Sequence, residues 1–212
     1  MNARSFVWLA GLGSGTVRRP SYATVKRAMD FLFVALAALP ALMLIAACGL
    51  GILLLMGRPV FFVQNRTGKG GRIFRMYKLR SMQCQSSMVV ATAINDPRVT
   101  PFGRFLRLSH LDELPQLWNI VKGDMTLIGP RPEQPKLVEV YSAELPGYDL
   151  RHSVVPGLTG FAQVYYGYAA DVEETRIKLE HDLYYVSNFG PTIDLKILVR
   201  TMLVYSNLTY AR

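Results

Sequence analysis

Residues 31–56, FLFVALAALPALMLIAACGLGILLLM, carry no charge over 26 positions. A straight helix of that length runs about 39 Å, longer than a hydrocarbon core of about 30 Å. The flanks narrow what such a run can do. RRPSYATVKRAMD precedes it and GRPVFFVQNRTGKGGRIFR follows it, so both ends are basic. Positive charge collects on the cytoplasmic side of a membrane, and a crossing helix shows it at one end only. Pro40 lies inside the run, lacks a backbone donor and disfavours helical geometry at Leu39. Divided there, the pieces are about 14 Å and 24 Å long, and neither crosses alone. Three arrangements remain: a kinked crossing helix, a re-entrant helix–break–helix with both flanks on one side, or an exported lipoprotein using Ile45-Ala46-Ala47-Cys48. The last conflicts with an apolar run that begins deep in the chain and continues past Cys48 to Met56.

The chain has 212 residues, which suits one domain beyond the apolar run. A net charge of +9 with 50% hydrophobic and 18% charged residues points first to a membrane surface and second to nucleic acid. Between residues 57 and 107 there are ten Lys or Arg and one acid, Asp96. Such a run is a solvated face or a contact to anionic headgroups. Residues 1–24 read as a flexible basic arm with Arg18 and Arg19 near headgroups. Cys48 and Cys84 lie in unlike surroundings and predict no disulfide. His110, His152 and His181 are far apart, and without CxxC or HxxxH spacing a transition-metal site is not expected.

Residues 60–79 predict a hairpin, with VFFVQNR and RIFRMYKL flanking the turn TGKGG. A mobile loop is expected over 83–95. Leu111, Leu114, Leu117, Trp118 and Val121 then repeat at helical spacing, with Gly123 as a stop. IGPRPEQP at 128–135 is too proline-rich for a helix and should hold Arg131 in a stiff turn. VVPGLTGFAQV at 154–164 predicts short strand or loop, and 171–188 predicts a helix. TIDLKILVRTMLVYSN is apolar enough to lie against the core or in the membrane interface.

Asp112 and Glu113 are the most telling pair. One reading is local: Ser109 and Asp112 approximate a capping box, and acids in a first turn suit the helix dipole. The other is chemical. Adjacent helical residues point about 100° apart, so two carboxylates can divide labour, one attacking a centre and one holding a metal ion. Asp112, Gln116 and Asn119 share a face, and Arg104, Arg107 and Arg131 lie to either side in sequence. Arginine takes phosphate in bidentate fashion, so these residues make a phosphoryl-transfer set. An aspartate nucleophile is established chemistry for such transfers.

From about residue 24 onward the chain resembles the bacterial sugar transferases, or monotopic phosphoglycosyl transferases. The matching words are KRAMD (26–30), GRPVFFVQNRTG (57–68), FRMYKLRSM (74–82), DPRVTPFGRFLR (96–107), LDELPQLWNIVKGDMTLIGPRPE (111–133), PGLTGFAQV (156–164) and HDLYYVSN (181–188). It departs at His110, where many members have a small residue, and at Leu39 before Pro40, where a serine is usual. A titratable His110 beside the pair could alter the pH profile.

The resemblance implies an α+β, mainly helical fold. A re-entrant membrane helix broken at Pro40 (25–57) would be followed by a small cytoplasmic catalytic domain (58–212) with a short β-hairpin and amphipathic interface helices. It implies transfer of a phosphosugar from a UDP-sugar to polyprenol (undecaprenyl) phosphate, with release of UMP, at the cytoplasmic face of the bacterial inner membrane. Asp112 would attack the sugar-linked phosphate and carry the phosphosugar, and Glu113 would position Mg²⁺. Arg107 and Arg131 would contact phosphates, as would Lys78 and Arg80 in the family's basic word. Expected partners are the UDP-sugar, the polyprenol phosphate and membrane lipid, with no nucleic acid; a homo-oligomer is compatible with the sequence. The alternatives are a membrane-anchored basic module binding lipid or nucleic acid, and a glycosyltransferase releasing UDP. Nothing in 154–175 names the sugar.

Overall fold

A computed structural model describes residues 20–83, 96, 98–167 and 171–206. Residues 84–95 of the expected loop, Cys84 among them, and residues 1–19 of the expected arm lie outside these residues.

The chain enters as one helix, α1, Pro20–Met56. Proline in the first turn needs no donor and has φ preset for a helix, so the start falls inside the segment expected to be an arm. The expected break at Pro40 is not an interruption of the helix, which runs continuously through it. A proline removes one donor, and apolar surroundings give the neighbouring backbone no water to turn to instead. Leu36, Leu39, Leu42 and Met43 around it are exposed. Cys48 is a free thiol buried against Ile52, Leu79 and Leu106, which is no place for lipid attachment.

Strands β1 (Phe61–Thr67) and β2 (Ile73–Leu79) pair antiparallel, Phe61 opposite Leu79 and Thr67 opposite Ile73. Gly70 and Gly71, at φ 64° and 77°, supply the left-handed backbone of the turn. Helix α2 (Pro101–Leu108) is capped by the Thr100 hydroxyl, which accepts from Gly103 N. Gly103 is obligatory there: a Cβ would sit 1.8 Å from Ser81 O.

The expected helix from Leu111 forms in two parts. Leu111–Glu113 is a 3₁₀ turn, and α3 begins only at Gln116–Lys122. Pro115 has no N–H to return to Leu111 O, so Leu114 N bonds that carbonyl at 3.3 Å instead. Trp118, expected on the apolar face, is 57% exposed, while Leu117 and Val121 pack on the core. Gly123 at φ 86° ends the helix as expected.

Two short strands, β3 (Thr126–Ile128) and β4 (Gly157–Thr159), pair in parallel. Between them lie α4 (Pro135–Glu144) and a 3₁₀ segment, Tyr148–Ser153. After β4 come α5 (Phe161–Tyr165), α6 (Val172–Ser187) and α7 (Pro191–Ser206). One core cluster joins Val34 of α1 to Phe74, Met76, Ile120 and Met125; another joins Cys48 and Ile52 to Leu79 and Leu106. Among the described residues the body is thus mainly helical with two small sheets.

The KRAMD word has a packing reason. Lys26 pairs with buried Asp194 of α7, and Tyr22 OH donates to the same carboxylate at 2.6 Å. Arg27 donates to Ile120 O and, at 2.8 Å, to Val121 O at the end of α3. Asp30 accepts from Thr126 Oγ1 at 2.6 Å and Leu127 N at 3.1 Å on β3.

Candidate active site

The 3₁₀ turn sends the two carboxylates different ways, since successive residues there point about 120° apart. Glu113 Oε1 accepts from Lys78 Nζ at 2.7 Å and from Arg131 Nη2 at 2.6 Å. Burial alone would push its carboxyl up, but Arg131 and Lys78 outweigh it and hold Glu113 well below the usual carboxylate range. Asp112 is 7% exposed. Among the described residues its carboxylate makes no hydrogen bond or ion pair. Burial pushes its pKa up; Lys78 draws it back, Glu113 adds to the rise, and Arg107 and Arg131 lower it more weakly. One carboxylate is therefore locked between cations, and its neighbour is left with open lone pairs beside the same charges. The capping-box reading fails, because the Ser109 hydroxyl donates backwards to Phe105 O at 2.8 Å and Leu106 O at 3.2 Å.

Three elements converge here. Lys78 comes from β2, the carboxylates from the turn before α3, and Arg131 from the Gly129–Pro130–Arg131 stretch after β3. Arg107, in the last turn of α2, donates from Nε to Ser81 Oγ at 2.9 Å, and its charge reaches Asp112. Arg80 differs from expectation. Its guanidinium lies on the carbonyls of Met56, Gly57 and Arg58, and it makes no bond to either carboxylate. The end of α1 leaves carbonyls without donors, and Arg80 supplies them. Of the expected polar face, Asn119 is fully buried and fastens α3 to β2: its Nδ2 donates to Arg75 O at 2.6 Å and its Oδ1 accepts from Tyr77 N at 3.1 Å. Gln116 is fully buried behind the turn.

A second layer was not legible in the sequence. Arg151 Nη2 donates to Arg131 O at 2.8 Å while pairing with Asp182 at 2.6 Å, with both side chains 2% exposed. Glu133 accepts from Lys178 at 2.6 Å, and Arg66 donates to Pro132 O at 3.0 Å. These bonds hold the backbone on both sides of Arg131. Only the HDLYYVSN word hinted at Asp182.

The family described as Bacterial sugar transferase matches residues 21–207. The chain belongs to that family. It is 49% identical over 187 residues to a UDP-N-acetylgalactosamine-undecaprenyl-phosphate N-acetylgalactosaminephosphotransferase of Aeromonas hydrophila, covering 86% of the chain and 44% of that protein. It is 37% identical over 196 residues to a UDP-glucose:undecaprenyl-phosphate glucose-1-phosphate transferase of Xanthomonas campestris pv. campestris, covering 90% of the chain and 40% of that protein. With an exopolysaccharide production protein PSS of Rhizobium leguminosarum bv. phaseoli it shares 39% identity over 197 residues, covering 87% of the chain and 96% of that protein. The chain thus spans less than half the length of the first two relatives.

Proposed function

We propose that the protein transfers a phosphosugar from a UDP-sugar to polyprenol phosphate at a membrane surface, through a covalent intermediate on Asp112. What carries the reading is the contrast within the dyad: Glu113 is bonded to Lys78 and Arg131, while Asp112 beside it has unbonded oxygens. An Asp112 oxygen attacks the phosphorus that bears the sugar. The bond to the bridging oxygen breaks, and UMP leaves with that oxygen. An oxygen of the lipid phosphate then attacks the same phosphorus and frees the Asp112 carboxylate. Arg131, Lys78 and Arg107 stabilise charge that shifts between phosphoryl oxygens.

Magnesium is compatible with these donors. Among the described residues no three His, Cys, Asp or Glu cluster, but Mg²⁺ is commonly held by one or two carboxylates with substrate phosphates completing its shell. The second oxygen of Glu113 would be the protein's ligand. Bound there, the ion would neutralise diphosphate charge.

The membrane anchor we read as monotopic, with both ends of α1 on the cytoplasmic side. Supporting this, Val34 and the Ile45–Cys48–Ile52 stretch, on opposite sides of Pro40, both pack on β2. Between them residues 35–44 span about 15 Å as helix, half of a hydrocarbon core.

The test is UMP release with polyprenol phosphate and Mg²⁺ across a panel of UDP-sugars that includes N-acetylgalactosamine and glucose. Asp112→Asn should abolish release, and wild-type enzyme with UDP-sugar alone should gain one phosphosugar mass on the 111–113 peptide. UDP as product would instead support a direct glycosyltransferase, and activity retained in Asp112→Asn would remove the nucleophile.

A further inference from the structure

Arg80 closes the end of α1. Its Nη2 donates to Met56 O and Gly57 O, both at 2.6 Å, and its Nη1 to Arg58 O at 3.2 Å. Its amide adds a bond to Val60 O at 2.8 Å. A helix end leaves its last carbonyls unpaired, and a charged planar fork is a strong donor for several at once. The guanidinium is buried, and Gly57, at φ 72°, makes the turn that brings the three carbonyls round it.

The neighbours of Arg80 all lead to the site. Lys78 bonds Glu113, and Ser81 holds Arg107. Leu79 packs with Cys48 and Ile52 of α1 and Leu106 of α2. Four consecutive residues therefore join the end of the apolar helix to two of the cations around the dyad.

We propose that Arg80 is a positioning residue that fastens the exit of α1 to residues 78–81 and so sets the height of Asp112 relative to the bilayer. The inference rests on the phosphosugar-transfer reading and deepens it. A guanidinium already shared by three carbonyls keeps few donors for a phosphate. The two substrates then respond differently to its loss. A UDP-sugar arrives from water and is indifferent to the height of the dyad. Polyprenol phosphate is held at headgroup depth and is not.

The experiment compares wild type, Arg80→Gln and Gly57→Ala in phosphatidylethanolamine–phosphatidylglycerol vesicles, and in detergent micelles with a short-chain polyprenol phosphate. Gly57→Ala strains the same turn without removing a cation. In vesicles both variants should raise KM for polyprenol phosphate about tenfold and change KM for UDP-sugar less than about twofold, with the difference largely lost in micelles. A rise in KM for UDP-sugar in both media for Arg80→Gln, with Gly57→Ala normal, would mean that Arg80 holds substrate phosphate and would overturn the proposal. Hydrogen exchange in vesicles supplies a readout independent of turnover. Amides 54–60 should exchange faster in Arg80→Gln while 116–122 stay as protected as in wild type; unchanged exchange at 54–60 also overturns it. If Arg80→Gln fails to fold, Gly57→Ala alone decides by the same KM ratio. If wild type releases no UMP from any UDP-sugar, the functional reading falls, and exchange at 54–60 still decides whether Arg80 fastens the helix.

Discussion

In the proposed transfer Asp112 attacks only as the carboxylate, so its titration would set an acid limit on the first step. Burial raises its pKa above the ordinary aspartate range, and Lys78 is the strongest opposing influence. The protonated form is inactive, so UMP release should fall away at a higher pH than an ordinary aspartate near about 3.9 would dictate. Lys78→Met should move that acid limb higher still; a pH–rate profile that shifts downward or stays fixed would contradict the assignment. His110, just before, has a left-handed backbone at φ 56°. This conformation costs an ordinary residue about 1–2 kcal/mol. His110→Gly should therefore preserve or raise the melting temperature, whereas His110→Val should lower it and cut activity by misplacing Asp112. The sequence shows the two acids and the nearby arginines. It does not show that His110 turns the backbone, because φ depends on how α2 and the 3₁₀ turn are docked.

The hairpin was legible because alternation and a glycine turn are local signals. The start of α3 was not, because apolar spacing from Leu111 to Val121 satisfies both a continuous helix and a 3₁₀ turn followed by a shorter one. Pro115 decides between them through its missing donor. Asn119 then matters as a fastener of α3 to β2. Asn119→Ala leaves Arg75 O and Tyr77 N without these partners and should cost about 2–4 kcal/mol, read as a lower urea midpoint. Glu133 belongs to the layer behind Arg131. Burial would raise its carboxyl, yet Lys178, Arg151 and Arg66 bring it down to about 2. A folded value below the unfolded one of about 4.3 adds stability that is complete above that pH and is lost as pH falls toward 2. Urea titrations from pH 7 to 2 should show that loss, and Glu133→Gln should flatten this part of the curve.

For the molecule as a whole, the question is how α1 meets the membrane. Lys26, Arg27 and Asp30 fasten its beginning, and Arg80 fastens its end, to one body. Single cysteines placed at 24 and at 58, in a Cys48→Ala, Cys84→Ser background, should both react with a membrane-impermeant maleimide only from the cytoplasmic side of inverted vesicles. Labelling of the two positions from opposite sides would establish a crossing helix.

Composition and order along the chain were enough for a charge-free apolar run with basic flanks, a hairpin and an acidic pair among arginines, each a local property readable from side-chain chemistry and spacing; the family was legible only as a resemblance of whole sequence words. Which carboxylate is bound and which is open, what Arg80 holds, and how Arg151 and Asp182 brace Arg131 depend on contacts between residues far apart in sequence. Such contacts follow from how helices and strands pack. Side-chain type alone cannot tell a guanidinium that binds phosphate from one that closes a helix.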